Sequence, residues 1–570
     1  MNNSKYLSKN LSLLGHEKSN VILVSAFVLL LPFVLLYWLV PGFSGLTIGN
    51  DYIHYPIEAQ MEVAYSLESG VFPLYAPGFA GGQSAAALTL GQLYHPIVHF
   101  ARNIPGYWEG DALAINTLLR LFSLGMVQLL LEYVLRQLKL SWLSSIVLSV
   151  ISVYNLRMLD HFRYGASLEN HTAFISLCCF VLLCFQKGRS WPVAVGLVAS
   201  SYLLVVGGHP QVTYFGLLGG GILALFAPYF MNAISIADVK SDLRSNIKNW
   251  LWLLVLVLVG VGMAAPYISA FYFEFLQSNS LRTDNPYIWS LAYQDSVGGA
   301  LRNLYAPLGA DVSGAFGGSA LLMVLLSFPV LLLWYRRVPL PIWGLYALSV
   351  MVFVLCIGNA TPLHQWVWEY FPLANKFRVP GRFSLLLIFP VLLLFIWVLK
   401  ASSLEKLSLF GRFSVPLLSV LSLLAWALLI LMHTVVDPLL PVSGPWTPQV
   451  ISSFPNRLFD YWFYLGNLVL GSLFVYSMFN EGSGTLKKRA VLLALVIAIF
   501  AQVLIVQRYG TWVVSSKSQQ TYAQMQAEKN QDFRLYATPG FGLSSSEVDE
   551  QLDKYILDPW SARLYRDIKP

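Results

Sequence analysis

The sequence predicts an all-α polytopic membrane protein of about thirteen transmembrane helices, and composition, run length and charge placement carry that reading. Of 570 residues, 56% are hydrophobic and only 11% are Asp, Glu, Lys or Arg. A soluble domain carries about 25% charged residues, so this composition belongs to a chain solvated by lipid. Mean hydropathy is +0.61.

Apolar runs able to cross ~30 Å of hydrocarbon fall near 21–40, 113–135, 140–156, 172–186, 190–206, 212–232, 249–272, 318–335, 340–358, 383–399, 413–433, 463–480 and 490–508. Lys5, Lys9 and Lys18 precede the first run, which is long enough to span and reads as a retained signal anchor.

The linkers alternate in character. Short basic ones hold Arg136 and Lys139, Lys187 and Arg189, Lys240, Arg244 and Lys248, Arg336 and Arg337, Lys400, Lys406 and Arg412, and Lys487 to Arg489. Cations collect in cytoplasmic loops, so these face inward, and the net charge of +7 reflects topology rather than a nucleic-acid partner.

The other side holds 41–112, 157–171, 207–211, 273–317, 359–382, 434–462 and the tail 509–570. The N-terminus is then cytoplasmic and the C-terminus extracytoplasmic, with the protein multi-pass in the inner (plasma) membrane. Residues 1–508 form one transmembrane domain, with 41–112 as its first extracytoplasmic loop. The outer segments carry nearly all the acids and histidines, which puts any chemistry on that face.

The first outer loop opens with "TIGNDYIHYPIEAQ" at 47–60. Pro56 suits a first helical position and Gly70 a stop, which predicts a short helix over 56–69. Ile57, Met61, Ala64 and Leu67 share one face of it, with Glu58 and Glu62 displaced. Asp51 lies just before this helix, and an acid there is either an ordinary turn carboxylate or a functional one. Downstream, "GVFPLYAPGFAGGQSAAALTLGQLYHP" is irregular backbone next to a membrane, which survives only where protein buries it or it lines a cavity.

The Asp after the first span, the amphipathic segment, "PLYAPGFAGGQ", "LYHP", "GGHPQVTY" at 207–214 and "NKFRVPGRFS" at 375–384 resemble YfhO-like membrane proteins of the glycosyltransferase-C superfamily. The chain departs from that pattern in having Tyr75-Ala76 where the family usually shows Trp-Asn, and in its short tail. The resemblance implies inverting transfer of a sugar from a polyprenyl-phosphate-linked donor to a cell-surface glycan or lipid acceptor. It makes Asp51 the catalytic base, which takes the proton of the acceptor hydroxyl.

The residues supply candidates for the remaining tasks. Asp160, Glu169 and His171 in "NLRMLDHFRYGASLENH" are candidates for a second acid or an acceptor contact, against an ordinary solvated loop. Departing phosphate favours guanidinium, whose planar fork binds oxygens in pairs. Lys376, Arg378 and Arg382 sit on the outer side against the usual bias of cations, Arg378 being the first choice, with Arg163 and Arg282 in reserve. Snorkelling to lipid headgroups is the plain alternative. His209 and Gln211, with His54, are candidates for sugar contacts, and Gly207 and Gly208 allow close backbone approach or a tight turn. Arg120, inside the second span, either lines the donor groove or snorkels.

Cys178, Cys179, Cys184 and Cys356 all lie in apolar runs without metal or disulfide spacing. No Gly-rich phosphate loop, zinc spacing or Ser-His-Asp motif is present. Asp51 with Asp160 or Glu169 could hold a hard divalent cation, but the reading requires no cofactor. The rival functions are a lipid-linked-sugar flippase, a polysaccharide polymerase or ligase, and a scaffold. A flippase needs charge near the bilayer midplane, where the spans here carry almost none. A polymerase concentrates function in large late loops, whereas the acid here is in the first.

Overall fold

The computed structural model describes residues 23–36, 40, 46–48, 60, 61, 63, 64, 67, 68, 92–154, 166–234, 243–277, 286–291, 338–404 and 513–515. These residues form a helical bundle, and five of its helices are long and apolar enough to cross a membrane. Of the thirteen predicted runs, 318–335, 413–433, 463–480 and 490–508 lie outside the described residues, and the other nine fall on helices.

In chain order the principal elements are α1 (Leu23–Leu35), β1 (Leu46–Ile48), α2 (Pro96–Ala101), α3 (Ala112–Gln137), α4 (Trp142–Val153), α5 (Ala166–Lys187), α6 (Trp191–Val206) and α7 (Pro210–Ala233). There follow α8 (Leu243–Met263), α9 (Ala265–Gln277), α10 (Leu340–Cys356), α11 (Pro362–Tyr370), α12 (Ile388–Leu404) and β2 (Val513–Ser515).

Local chemistry sets the ends. Pro96, Pro210 and Pro362 each occupy a first helical position, where a missing N–H costs nothing. The Ser141 hydroxyl accepts from the Ser144 N–H and caps α4. Pro266 cannot continue the α8 ladder, so the predicted run at 249–272 is two helices.

Lipid tails give helices no hydrophobic reason to associate, so close packing at small residues matters. A Cβ on Gly125 of α3 would lie 2.4 Å from the Leu29 carbonyl oxygen of α1. One on Gly260 of α8 would lie 2.2 Å from Ser201 Oγ of α6. The stretches Leu168–Lys187 and Pro380–Trp397 are 89% buried, against 17% for Leu243–Met263. The first two therefore form the centre of the bundle, and α8 is an outer wall whose exposed Leu251, Leu254 and Leu258 suit lipid contact.

Two boundaries differ from expectation. Helix α5 starts at Ala166 rather than near 172, so Glu169, Asn170 and His171 are helical and buried instead of lying in a solvated loop. The last described span begins as a 3₁₀ helix, Pro380–Leu387, before becoming α12. Eight residues is long for this geometry, in which hydrogen bonds are poorer.

The predicted surface helix in the first loop is helical at residues 60, 61, 63, 64, 67 and 68. Met61 and Ala64 of the predicted face are fully buried and Glu68 is exposed, but Gln60 and Val63, off that face, are fully buried as well. Strand β1 pairs antiparallel with β2, matching Leu46 with Ser515 and Ile48 with Val513. This places part of the tail beside the start of the first outer loop, a contact between distant segments that the sequence does not suggest.

Candidate functional site

Polar side chains gather at the end of the bundle where α3, α5 and α7 begin and α6 and α10 end. At the opposite end, Lys187 bonds the Tyr133 hydroxyl, and Lys139 is close enough to Lys400 to help depress its pKa, though burial does more. Among the described residues, the basic linkers at Lys139, Lys187 and Lys400 therefore lie at one end and the polar layer at the other.

The inner part of this layer is closed around an ion pair. Arg120 Nε of α3 lies 2.9 Å from Glu169 Oε1 of α5, with the side chains 0% and 3% exposed. Desolvating two charges is costly, and further hydrogen bonds are needed to offset it. Gln92 bonds Glu169 and also donates to the Gly207 carbonyl at 2.6 Å. Gln60, from the first-loop helix, donates to Gln92 Oε1 at 2.6 Å. The pair thus ties the first outer loop to the α6–α7 turn.

Asn170 extends the layer. Its Nδ2 donates to the Leu204 carbonyl and the Thr213 hydroxyl, while its Oδ1 accepts from the His209 N–H at 2.8 Å. Gly207 makes room for this. A Cβ there would come within 2.7 Å of the Asn170 amide group, and Gly208 turns through φ 101°, where a side chain is strained. The tight turn is present, and the group that Gly207 lets approach is the Asn170 side chain.

His95 sits beneath Arg120 and caps α2. Its Nδ1 accepts from the Ile97 N–H at 3.2 Å, which requires that nitrogen to be unprotonated. Burial, then the neighbouring Arg120 and His99 charges, push its pKa down to about 3, so the cap is intact at neutral pH.

The outer part of the layer joins the two segments "GGHPQ" and "FRVPGR". Arg382 Nη1 donates to Gln211 Oε1 at 2.6 Å and lies 3.4 Å from His209 Nε2. Gln211 Nε2 donates to the Arg378 carbonyl at 2.8 Å. The Arg378 guanidinium rests over the Trp289 ring at 5.8 Å, and among the described residues no carboxylate pairs with it. Lys376, two residues before Arg378, is half-buried.

The backbone between the arginines is strained. Val379 has φ 71°, a region a β-branched residue rarely enters, and its N–H is held by the Ser290 carbonyl at 3.0 Å. Cys356 Sγ lies 3.9 Å from the Gly381 carbonyl oxygen, a contact of a small buried thiol.

Of the sequence candidates, the structure brings Glu169, His171, His209, Gln211, Lys376, Arg378 and Arg382 to one end of the bundle. Asp51, His54, Asp160, Arg163 and Arg282 lie outside the described residues, although β1 ends three residues before Asp51. Arg120 is corrected on both counts: with 0% exposure and a carboxylate against it, it neither snorkels nor offers a free charge to a groove. Glu169 is likewise a buried ion-pair partner. Among the described residues, no group of three His, Cys, Asp or Glu could hold a metal ion.

Sequence reasoning missed Gln60, Gln92 and Asn170, which carry the layer's hydrogen bonds. An amide inside an apolar helix is a signal in itself, because membrane interiors tolerate polar groups only when partnered. Asn170 met that criterion. Comparison of the chain with protein-family models, curated proteins and solved structures finds no match.

Proposed function

We propose that this chain is an inverting glycosyltransferase of the plasma membrane, moving a sugar from a polyprenyl-phosphate donor to a cell-surface glycan or lipid acceptor on the extracytoplasmic face. The observation that carries the reading is Arg378, a guanidinium held at the polar end of the bundle with no carboxylate partner among the described residues and braced through its backbone by Gln211. Such a cation suits the phosphate that departs when the anomeric C–O bond breaks. Gathering of the basic linkers at the other end supports an extracytoplasmic placement for this one.

In this scheme the Asp51 carboxylate takes the proton from the acceptor hydroxyl, whose oxygen attacks the anomeric carbon opposite the phosphate. The phosphate leaves with the bonding electron pair, and Arg378, with Lys376 and Arg382 nearby, stabilises its charge. His209 and Gln211 orient Arg382, and the Arg120–Glu169 pair positions the first outer loop from below. Asp160 is the remaining candidate for acceptor orientation, with Arg163 and Arg282 as further phosphate contacts. A divalent cation is not required, because the phosphate has cationic partners in the protein.

Asp51→Asn keeps the shape of the side chain and removes the base. Purified protein supplied with polyprenyl-phosphate-linked hexose or N-acetylhexosamine and a cell-envelope extract as acceptor should lose roughly 10²–10⁴-fold in transfer, followed by mass spectrometry of the lipid. Near-wild-type transfer by the folded variant overturns this assignment of the base.

A further inference from the structure

Helix α11 is fixed to the polar end of the bundle between two apolar helices. Residues 357–361 join it to the end of α10, and residues 371–379 lead from it to the apolar stretch Pro380–Trp397. The His364 ring of α11 stands edge-on to Phe383, near the start of that stretch, at 6.0 Å, and Tyr287 packs edge-on to Trp368 at 5.5 Å. The Tyr214 hydroxyl donates to the Pro372 carbonyl at 2.6 Å and closes the turn that follows. A helix pinned level with the start of a span lies at the membrane boundary rather than out in water.

Successive helical residues turn by about 100°, and α11 thereby presents three faces of different chemistry. One enters the protein: His364 is buried, and Val367 and Trp368 are half-buried. The second is polar and exposed, with Gln365 Nε2 donating to Glu369 Oε1 at 2.9 Å. The third is Leu363, Trp366 and Tyr370, at i, i+3 and i+7, with the Trp366 and Tyr370 rings 5.8 Å apart. Trp366 is 58% and Tyr370 68% exposed, and the exposed Phe371 and Leu373 extend this apolar surface past the helix end.

A lone exposed aromatic needs no explanation, but an aromatic stripe running beside a polar one does. Trp and Tyr concentrate where a membrane meets water, because an apolar ring with a polar tip suits the headgroup layer. A glutamate is costly among acyl chains, so Glu369 sets the roll of the helix. Its stripe turns to water, which brings the aromatic stripe, roughly a third of a turn away, against the lipid. The preceding helix continues the same surface: Trp343, Ala347, Val350 and Met351 form an exposed and wholly apolar side of α10.

We propose that α11 is an in-plane helix docked on the lipid surface. Leu363, Trp366 and Tyr370 sit between the headgroups and acyl chains of the leaflet at the polar end, and Gln365 and Glu369 stay in water. The inference needs the neighbouring helices to cross the membrane and is independent of the transferase reading.

The test places spin labels through Gln365→Cys, Trp366→Cys, Glu369→Cys and Tyr370→Cys in the full chain in phosphatidylcholine nanodiscs, the four native cysteines being buried. Collision with oxygen, which partitions into lipid, is compared with collision with a water-soluble nickel chelate. Leu254→Cys on the exposed side of α8 is the lipid-facing reference. Labels at positions 366 and 370 should read ~5–10 Å into the boundary of headgroups and acyl chains, and those at 365 and 369 at its water side. Equal nickel access at all four positions would put the helix in water and overturn the proposal. Poor access to both reagents at 366 and 370 would overturn it too, by showing that protein covers the stripe, and a disulfide between Trp366→Cys chains would then identify a second copy. The unsubstituted chain provides a check that no variant can disturb. A lipid-partitioned diazirine should mark Trp366 and Tyr370 and spare Gln365 and Glu369, and the reverse pattern would contradict docking on lipid.

Discussion

Arg120 and Arg378 are both arginines at the polar end of the bundle, and they have opposite circumstances. Arg120 is fully buried with the Glu169 carboxylate 2.9 Å away, and that carboxylate is itself bonded by Gln92. Arg378 is half-buried over Trp289, and among the described residues no carboxylate pairs with it. The first is a charge spent within the protein, holding the first outer loop to the α6–α7 turn. The second, on the proposed reading, is a charge left for the donor phosphate. A cation out of place in a membrane sequence signals purpose in both cases, but only packing tells which purpose.

Variants at the two sites should therefore fail in different ways. The largest effect belongs to the buried pair. Arg120→Met leaves Glu169 desolvated and unpaired, which should cost ~3–5 kcal/mol of stability, read as a lowered melting temperature. The double variant Arg120→Met with Glu169→Leu removes both charges and should recover most of that loss. If the single variant melts like wild type, the pair does not anchor the loop.

Arg378→Gln should leave the melting temperature within the scatter of ordinary surface changes. It should reduce donor binding by ~1.5–3 kcal/mol, the scale of hydrogen bonds to a charged group. A large fall in stability instead would make Arg378 a second structural charge and erase the contrast.

The smallest effect lies with His95. Its folded pKa of about 3 is below the ordinary 6.5, so the unfolded chain binds the extra proton first as pH falls. Its contribution to stability is present above about 6.5 and declines as pH drops toward 3. His95→Asn keeps a good cap without a titrating ring and should flatten the melting temperature against pH across that window. An unchanged slope would show that other groups set the acid limit.

The spans were legible because run length and hydropathy report directly on the bilayer, and nine of the predicted runs are helical where described. The lysines and arginines sort the linkers into two groups, and the described contacts bring three of the basic ones to one end of the bundle. The joining of "GGHPQ" to "FRVPGR" was legible only as two candidate segments, since the Arg382 to Gln211 bond spans 171 residues. Glu169 was placed in an outer loop, whereas helix α5 already contains it, beginning at Ala166 rather than near 172. The left-handed Val379 could not have been foreseen, since a valine before proline favours extended backbone and only surrounding packing holds it otherwise.

The most direct test is acceptor-dependent release of polyprenyl phosphate from a polyprenyl-phosphate-linked hexose by the protein reconstituted with cell-envelope glycans and lipids as acceptors, measured for wild type, Arg378→Gln and the paired Arg120→Met, Glu169→Leu variant. The account predicts release by wild type, a loss of roughly ten- to hundredfold in Arg378→Gln, and a far smaller change in the paired variant. Intact donor with the wild-type protein, or equal turnover in Arg378→Gln, would contradict it.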